Sequence, residues 1–151
     1  MTGVGDRAPG FSLRSQHGET VTLADLGGAP ALLVFYPFAF SGICSSELAA
    51  LRDHRGAFDD AGVRVIAISC DPMFSLRVFD DRDGFGFTLL SDFWPHGEIA
   101  RAYGCFDGDM GAAGRSSFLL DADGIVRWSV SHGVGEQRVI SLHLQAILCL
   151  S

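Results

Sequence analysis

The sequence predicts an α/β fold of three layers, a mixed central β-sheet with helices on both faces. Residues 31–36 (ALLVFY) form an unbroken apolar run, and residues 63–69 (VRVIAIS) are rich in β-branched residues. Runs of this length and character are what strands buried on both faces look like. Each is followed by a stretch with apolar residues at helical spacing, and strands that alternate with helices pair in parallel under a helical cover. Toward the end of the chain, Asp121-Ala122-Asp123-Gly124 separates two short apolar runs. That is a hairpin signal, which adds antiparallel strands and makes the sheet mixed.

The elements follow in order. Residues 11–23 (FSLRSQHGETVTL) read as two short strands about a His17-Gly18 turn, and residues 24–30 as a loop rich in glycine and proline. The strand at 31–36 stops at Pro37, which has no N–H to give a sheet ladder. After a loop at 38–42, Ser45-Ser46-Glu47 leads into a helix with Leu48, Leu51 and Phe58 on one side and Gly62 as its stop. Cys44 sits where that helix begins. A strand at 63–69 follows, and Asp71-Pro72 starts a second helix that runs to about Asp83. A short strand at 87–90, a loop at 91–95 and a helix at 96–103 ended by Gly104 come next. The glycine-rich residues 105–114 read as irregular. Strands at 116–120 and 125–130 flank the hairpin turn. Residues 136–150 form a last amphipathic helix with Val139, Leu142, Ala146 and Leu150 on its apolar face. No repeat, low-complexity segment or linker interrupts residues 1–151, so one domain is expected, and the element order is that of a thioredoxin-like fold with an N-terminal β extension.

Composition excludes several functions. The chain has 151 residues, is 48% hydrophobic and 19% charged, and carries a net charge of −7. An acidic chain is a poor non-specific binder of nucleic acid. No apolar run approaches the roughly 20 residues of a membrane span. The N-terminus lacks the basic and apolar regions of a secretory signal, so a cytoplasmic protein with reduced thiols is expected. Its four cysteines (Cys44, Cys70, Cys105, Cys149) form no CxxC, and neither they nor the five histidines show metal-ligand spacing. A cysteine–histidine hydrolase finds no partner either: His54, ten residues along the helix from Cys44, would lie about 15 Å away. No GxxxxGK[ST] or GxGxxG is present.

Cys44 is the residue with chemistry. A cysteine in the first turn of a helix faces unpaired N–H groups and the positive end of the macrodipole, both of which favour the nucleophilic thiolate. Pro37-Phe38-Ala39-Phe40-Ser41-Gly42-Ile43-Cys44 resembles the PxxxTxxC signature of the peroxiredoxins, with Ser41 where threonine is usual. The element order and an arginine before a late strand, Arg115, extend the resemblance over nearly the whole chain. FYPFAFSGICSSELAALRDH and LLSDFWPHGEIARAYG are most similar to the one-cysteine AhpE subgroup.

The resemblance implies a thiol peroxidase acting on hydrogen peroxide and organic hydroperoxides, with peroxynitrite a further candidate. Cys44 would attack the peroxide and become a sulfenic acid. Ser41 would orient the peroxide, Arg115 would supply positive charge to the sulfur and the oxygens, and Pro37 would shape and shield the pocket. Glu47 stands where the family often carries an acid that orients the arginine. No metal, haem or flavin is implied. A resolving cysteine five residues on is excluded by Ala49, so the reductant is expected to be an external thiol or a thioredoxin- or mycoredoxin-like protein. The alternatives are a two-cysteine enzyme resolved by Cys70, Cys105 (in a loop, open to solvent) or Cys149, and a non-enzymatic redox sensor or holdase. Phe38, Phe40, Phe93, Trp94 and Tyr103 are either ordinary core or a dimer interface beside the active-site loop. The resemblance favours the interface, in a homodimer or larger assembly.

Overall fold

The computed structural model describes residues 2–133 and 135–150. Seven strands form one sheet in the order β2-β1-β5-β4-β3-β8-β9. β3 (Ala31–Phe35), β4 (Arg64–Ser69) and β5 (Thr88–Ser91) run parallel at its centre. β8 (Arg115–Leu120) pairs antiparallel with β3, and β9 (Val126–His132) with β8, so the sheet is mixed. β1 (Ser12–Ser15) and β2 (Thr20–Thr22) form the N-terminal hairpin, and β1 is antiparallel to β5.

Strand alternation sorts the central residues between two cores. Leu33, Phe35, Ile66, Ile68, Phe118 and Leu120 face one way and pack with Ile99, Ala100 and Tyr103 of α4 (Glu98–Tyr103). Leu32, Val34, Tyr36, Val65, Ala67 and Leu119 face the other. They meet Cys44, Leu48 and Leu51 of α1 (Gly42–Asp53), Phe58 of α2 (Arg55–Asp60), Leu76 and Phe79 of α3 (Met73–Asp83), and Ala146 and Ile147 of α5 (Ile140–Leu148). The expected three-layer, thioredoxin-like α/β architecture with its β extension is therefore present.

Several boundaries differ from expectation. The first helix starts earlier, at Gly42, because Ser41 caps it, and it breaks at His54, whose ring Nδ1 lies 2.8 Å from the Ala50 carbonyl oxygen. α4 begins at Glu98, not 96. Residues 105–114 are not irregular throughout: β6 (Phe106–Asp107) and β7 (Ala112–Ala113) pair antiparallel. The last helix begins at Ile140, not 136: Val139 keeps an extended backbone, and the Arg138 N–H before it bonds the Glu47 carboxylate. The buried face of α5 is also rotated: His143, Ala146 and Ile147 point inward, whereas Val139 and Leu142 are exposed.

Candidate active site

The site is assembled at the carboxyl end of β3, where the sheet's parallel strands leave room for a ligand. Tyr36 and Pro37 are still buried there, and the chain then turns through residues 38–41. The Ala39 N–H donates to Asp71 Oδ2 at 2.8 Å, which ties this loop to the end of β4. Phe40 adopts a left-handed backbone with φ of 69°. A bulky residue holds that conformation at a cost of about 1–3 kcal/mol and only where its surroundings enforce it. Here its ring packs 5.0 Å from the Phe79 ring, and the Arg82 guanidinium covers it, also at 5.0 Å. The loop is thus clamped from outside.

Ser41 is the N-cap of α1: its backbone is extended and its Oγ accepts the Cys44 N–H at 3.2 Å. The cap uses one lone pair and leaves the hydroxyl proton free to donate. Cys44 is the third residue of the helix, fully buried, against the same face as Leu48 and Leu51. Pro37, Ser41 and Cys44 therefore lie on one continuous loop and helix start, as their spacing suggested.

Arg115 arrives from β8 and is 97% buried. Its Nη1 donates to Oε1 of Glu47, which lies one helical turn beyond Cys44 and is itself buried. The other carboxylate oxygen, Oε2, accepts the Arg138 backbone N–H at 2.5 Å and Arg138 Nε at 3.4 Å. Arg138 is 93% buried and also donates from Nη2 to the Phe35 carbonyl at 2.5 Å and from Nη1 to Ser117 Oγ at 2.8 Å. Burial lowers the Arg138 guanidinium to about 10, with Glu47 opposing the shift, so it stays charged at neutral pH.

Among the described residues, two guanidiniums thus meet one carboxylate, that of Glu47, one helical turn beyond Cys44. Arg138, Ser117 and His143 were not singled out by the sequence. The available signal was β8 itself, whose RSSFLL segment is buried at every position although half of its residues are polar.

The remaining cysteines stand elsewhere. Cys70 and Cys105 are in the core on the opposite side of the sheet from Cys44. Cys105 is buried, not open to solvent as its loop position suggested, because the β6–β7 ribbon folds over it and Gly114 N–H bonds its carbonyl at 2.7 Å. Burial pushes the Cys70 thiol up to about 11 and the Cys105 thiol up to about 12, with the Asp92 carboxylate adding to both. Cys149 is the C-cap of α5 and is exposed. α5 carries it about 13 Å from the end next to Arg138, toward Leu119 and Asp121 at the far end of β8.

Of the aromatic set, Phe38, Phe40, Phe93 and Trp94 are exposed, Trp94 at 81%. Tyr103 is not part of that surface. It is fully buried, and its hydroxyl donates to the Pro9 carbonyl at 2.8 Å. Among the described residues no helix is long and apolar enough to cross a membrane.

The chain is similar to known proteins over most of its length. The model of the AhpC/TSA family matches residues 4–129. Alkyl hydroperoxide reductase E of Mycobacterium tuberculosis is 43% identical over 152 residues, which cover 100% of this chain and 99% of that protein. Peroxiredoxin Bcp of Escherichia coli is 40% identical over 128 residues, covering 80% of each chain. Among solved structures, peroxidoxin BcpB from Mycobacterium tuberculosis superposes with a TM-score of 0.89 at 26% identity, covering 100% of this chain and 99% of that one.

Proposed function

This chain belongs to the AhpC/TSA family and is a peroxiredoxin, a peroxide-reducing thiol peroxidase, and from that premise we propose that Cys44 is its peroxidatic sulfur. One observation carries the assignment: a buried cysteine in the first turn of a capped helix, beside two guanidiniums that share a single carboxylate. The nearby guanidiniums and the helix start both favour a thiolate at Cys44.

The chemistry follows from the groups present. The thiolate attacks one oxygen of a hydroperoxide along the O–O axis, a sulfur–oxygen bond forms, and the O–O bond breaks. The electron pair leaves on the distal oxygen as hydroxide or alkoxide, which takes a proton from solvent. The Ser41 hydroxyl holds a proton free to orient the peroxide. Arg115 stabilises charge that builds on the oxygens, and Glu47 and Arg138 fix its direction. Pro37, buried at the loop's start, shields the site from water. No metal, haem or flavin enters these steps.

The Cys44 sulfenic acid is then reduced from outside. An external thiol, or a thioredoxin- or mycoredoxin-like protein, attacks the sulfenic sulfur and expels water. A second thiol then resolves the mixed disulfide. The placement of Cys70 and Cys105 across the sheet, with thiols pushed up by burial, supports a one-cysteine cycle. The exposed Phe38, Phe40, Phe93 and Trp94 support a homodimer through the active-site side of the molecule.

The test is stopped-flow oxidation of the reduced protein by hydrogen peroxide and by an organic hydroperoxide, followed by tryptophan fluorescence and intact mass. Fast oxidation with a gain of one oxygen, lost in Cys44→Ser, is expected. A loss of two hydrogens would mean an internal disulfide and refute the one-cysteine cycle. Oxidation no faster than a free thiol would refute the assignment of Cys44.

A further inference from the structure

Glu47 holds Arg138 from one side; a hydrogen-bonded chain that ends outside the site holds it from the other. Arg138 Nη1 donates to Ser117 Oγ at 2.8 Å, Ser117 Oγ lies 2.8 Å from His143 Nε2, and His143 Nδ1 lies 2.8 Å from the Val139 carbonyl oxygen. The donor roles in this chain are forced. A carbonyl oxygen only accepts, so Nδ1 carries the proton. His143 is fully buried, and burial lowers its imidazole to about 4, so the ring is neutral at pH 7 and Nε2 is a bare acceptor. Ser117 must then donate to Nε2. That leaves its oxygen lone pairs facing Arg138, whose guanidinium has donors and no acceptor.

Were the Ser117 hydroxyl turned the other way, its proton would point at the guanidinium and Nε2 would be left unsatisfied. The imidazole lone pair therefore selects the one Ser117 rotor that can receive Arg138. The ring has little freedom of its own: Trp128 packs edge-on against it, with centroids 5.0 Å apart at 74°. Arg115 and Ser117 are two residues apart on β8, so strand alternation puts both on the Cys44 face of the sheet.

We propose that Ser117 and His143 are positioning residues of the peroxidase, setting Arg138, through Arg138 the Glu47 carboxylate, and through Glu47 the placing of Arg115 over the reacting oxygens. The inference rests on Cys44 being the peroxidatic sulfur. It adds to that reading two residues that touch neither peroxide nor sulfur, one of them on the C-terminal helix.

The experiment compares two reactions of Cys44 at pH 7 in the full chain: oxidation by hydrogen peroxide, and alkylation by iodoacetamide read at the Cys44 peptide by mass. Alkylation needs only the thiolate, whereas peroxide cleavage also needs an aligned cation. Ser117→Ala and His143→Leu are expected to slow oxidation about tenfold and change alkylation less than about twofold. The loss should be smaller than the 10²–10³ of deleting an oxyanion donor outright, because Arg115 keeps its charge. His143→Gln, whose carboxamide oxygen can accept from Ser117, is expected to recover oxidation to within about threefold of the parent.

A purely structural role would not move the ratio of the two rates. An unchanged ratio in Ser117→Ala, or glutamine serving no better than leucine, overturns the proposal. Should His143→Leu fail to fold, Ser117→Ala, which removes one oxygen atom, decides it alone. Failure of the underlying reading shows separately, as rapid oxidation that survives in Cys44→Ser before any positioning variant is compared.

Discussion

Acid should loosen this protein through His143, and by a calculable amount. An imidazole in the unfolded chain takes up a proton near pH 6.5; in the folded protein burial defers that to about 4, with Arg138 and His132 adding repulsion. Between those values the unfolded chain binds one proton more than the native one, so stability rises with pH across the window and is lost as pH falls through it. Each pH unit is worth 1.36 kcal/mol, so His143 alone removes about 3 kcal/mol between pH 6.5 and 4. That is a large share of the roughly 5–15 kcal/mol typical of a domain. Urea titrations at several pH values between 7 and 4 measure it, with His143→Gln as the reference that has no proton to bind. Carboxylates held low, among them Asp25, Asp83 and Asp121, contribute their own acid loss equally to both proteins. The stability difference between parent and variant should therefore fall by about 3 kcal/mol from pH 7 to pH 4. A difference that stays constant across the range would show that the ring is not held neutral and would refute the assignment of its donor roles.

Other outcomes follow from the same structure. Glu47→Ala leaves two buried guanidiniums facing one another and should cost about 3–5 kcal/mol, with a loss of peroxide reactivity; an unchanged urea midpoint would contradict the paired geometry. In a Cys44→Ser background a maleimide at pH 7 should label Cys149 quickly and Cys70 and Cys105 only on unfolding, since burial pushes those two thiols up to about 11 and 12. Peptide mass mapping that found either of them labelled as fast as Cys149 would count against it. Gly97 has φ of 70°, and a Cβ there would overlap the Phe106 ring, so Gly97→Ala should lower the melting temperature by several degrees. Phe58→Ala removes a fully buried ring between α2 and the sheet and should cost about 3–5 kcal/mol; a loss under 1 kcal/mol would mean the site collapses.

What could be read from the sequence, and what could not, divides along the range of the forces involved. The central strands, the hairpin and the start of the Cys44 helix are written in local patterns, namely apolar runs, a turn tetrapeptide and a capping serine. The strands and the hairpin appear where the patterns put them, and the helix starts a few residues earlier, at Gly42. Pro37, Ser41 and Cys44 were legible for the same reason, being eight residues of one segment. Arg138 was not, because what makes it part of the site is a carboxylate 91 residues away in sequence.

The misread face of α5 has a more instructive cause. Periodicity scores histidine as polar, so the apolar stripe was drawn through Val139 and Leu142. A neutral imidazole with both nitrogens bonded has no unmet demand for water, and burying it costs little more than burying an apolar ring. His143 therefore packs as a core residue, and the helix turns one position, about 100°, to admit it. The polar half of β8 obeys the same rule. Ser117 and Arg115 are inside because each has a partner waiting there, supplied in both cases by another strand or helix. Hydropathy measures a residue against water; in this site the relevant comparison is with the partner that replaces the water, and only the folded chain brings that partner into reach.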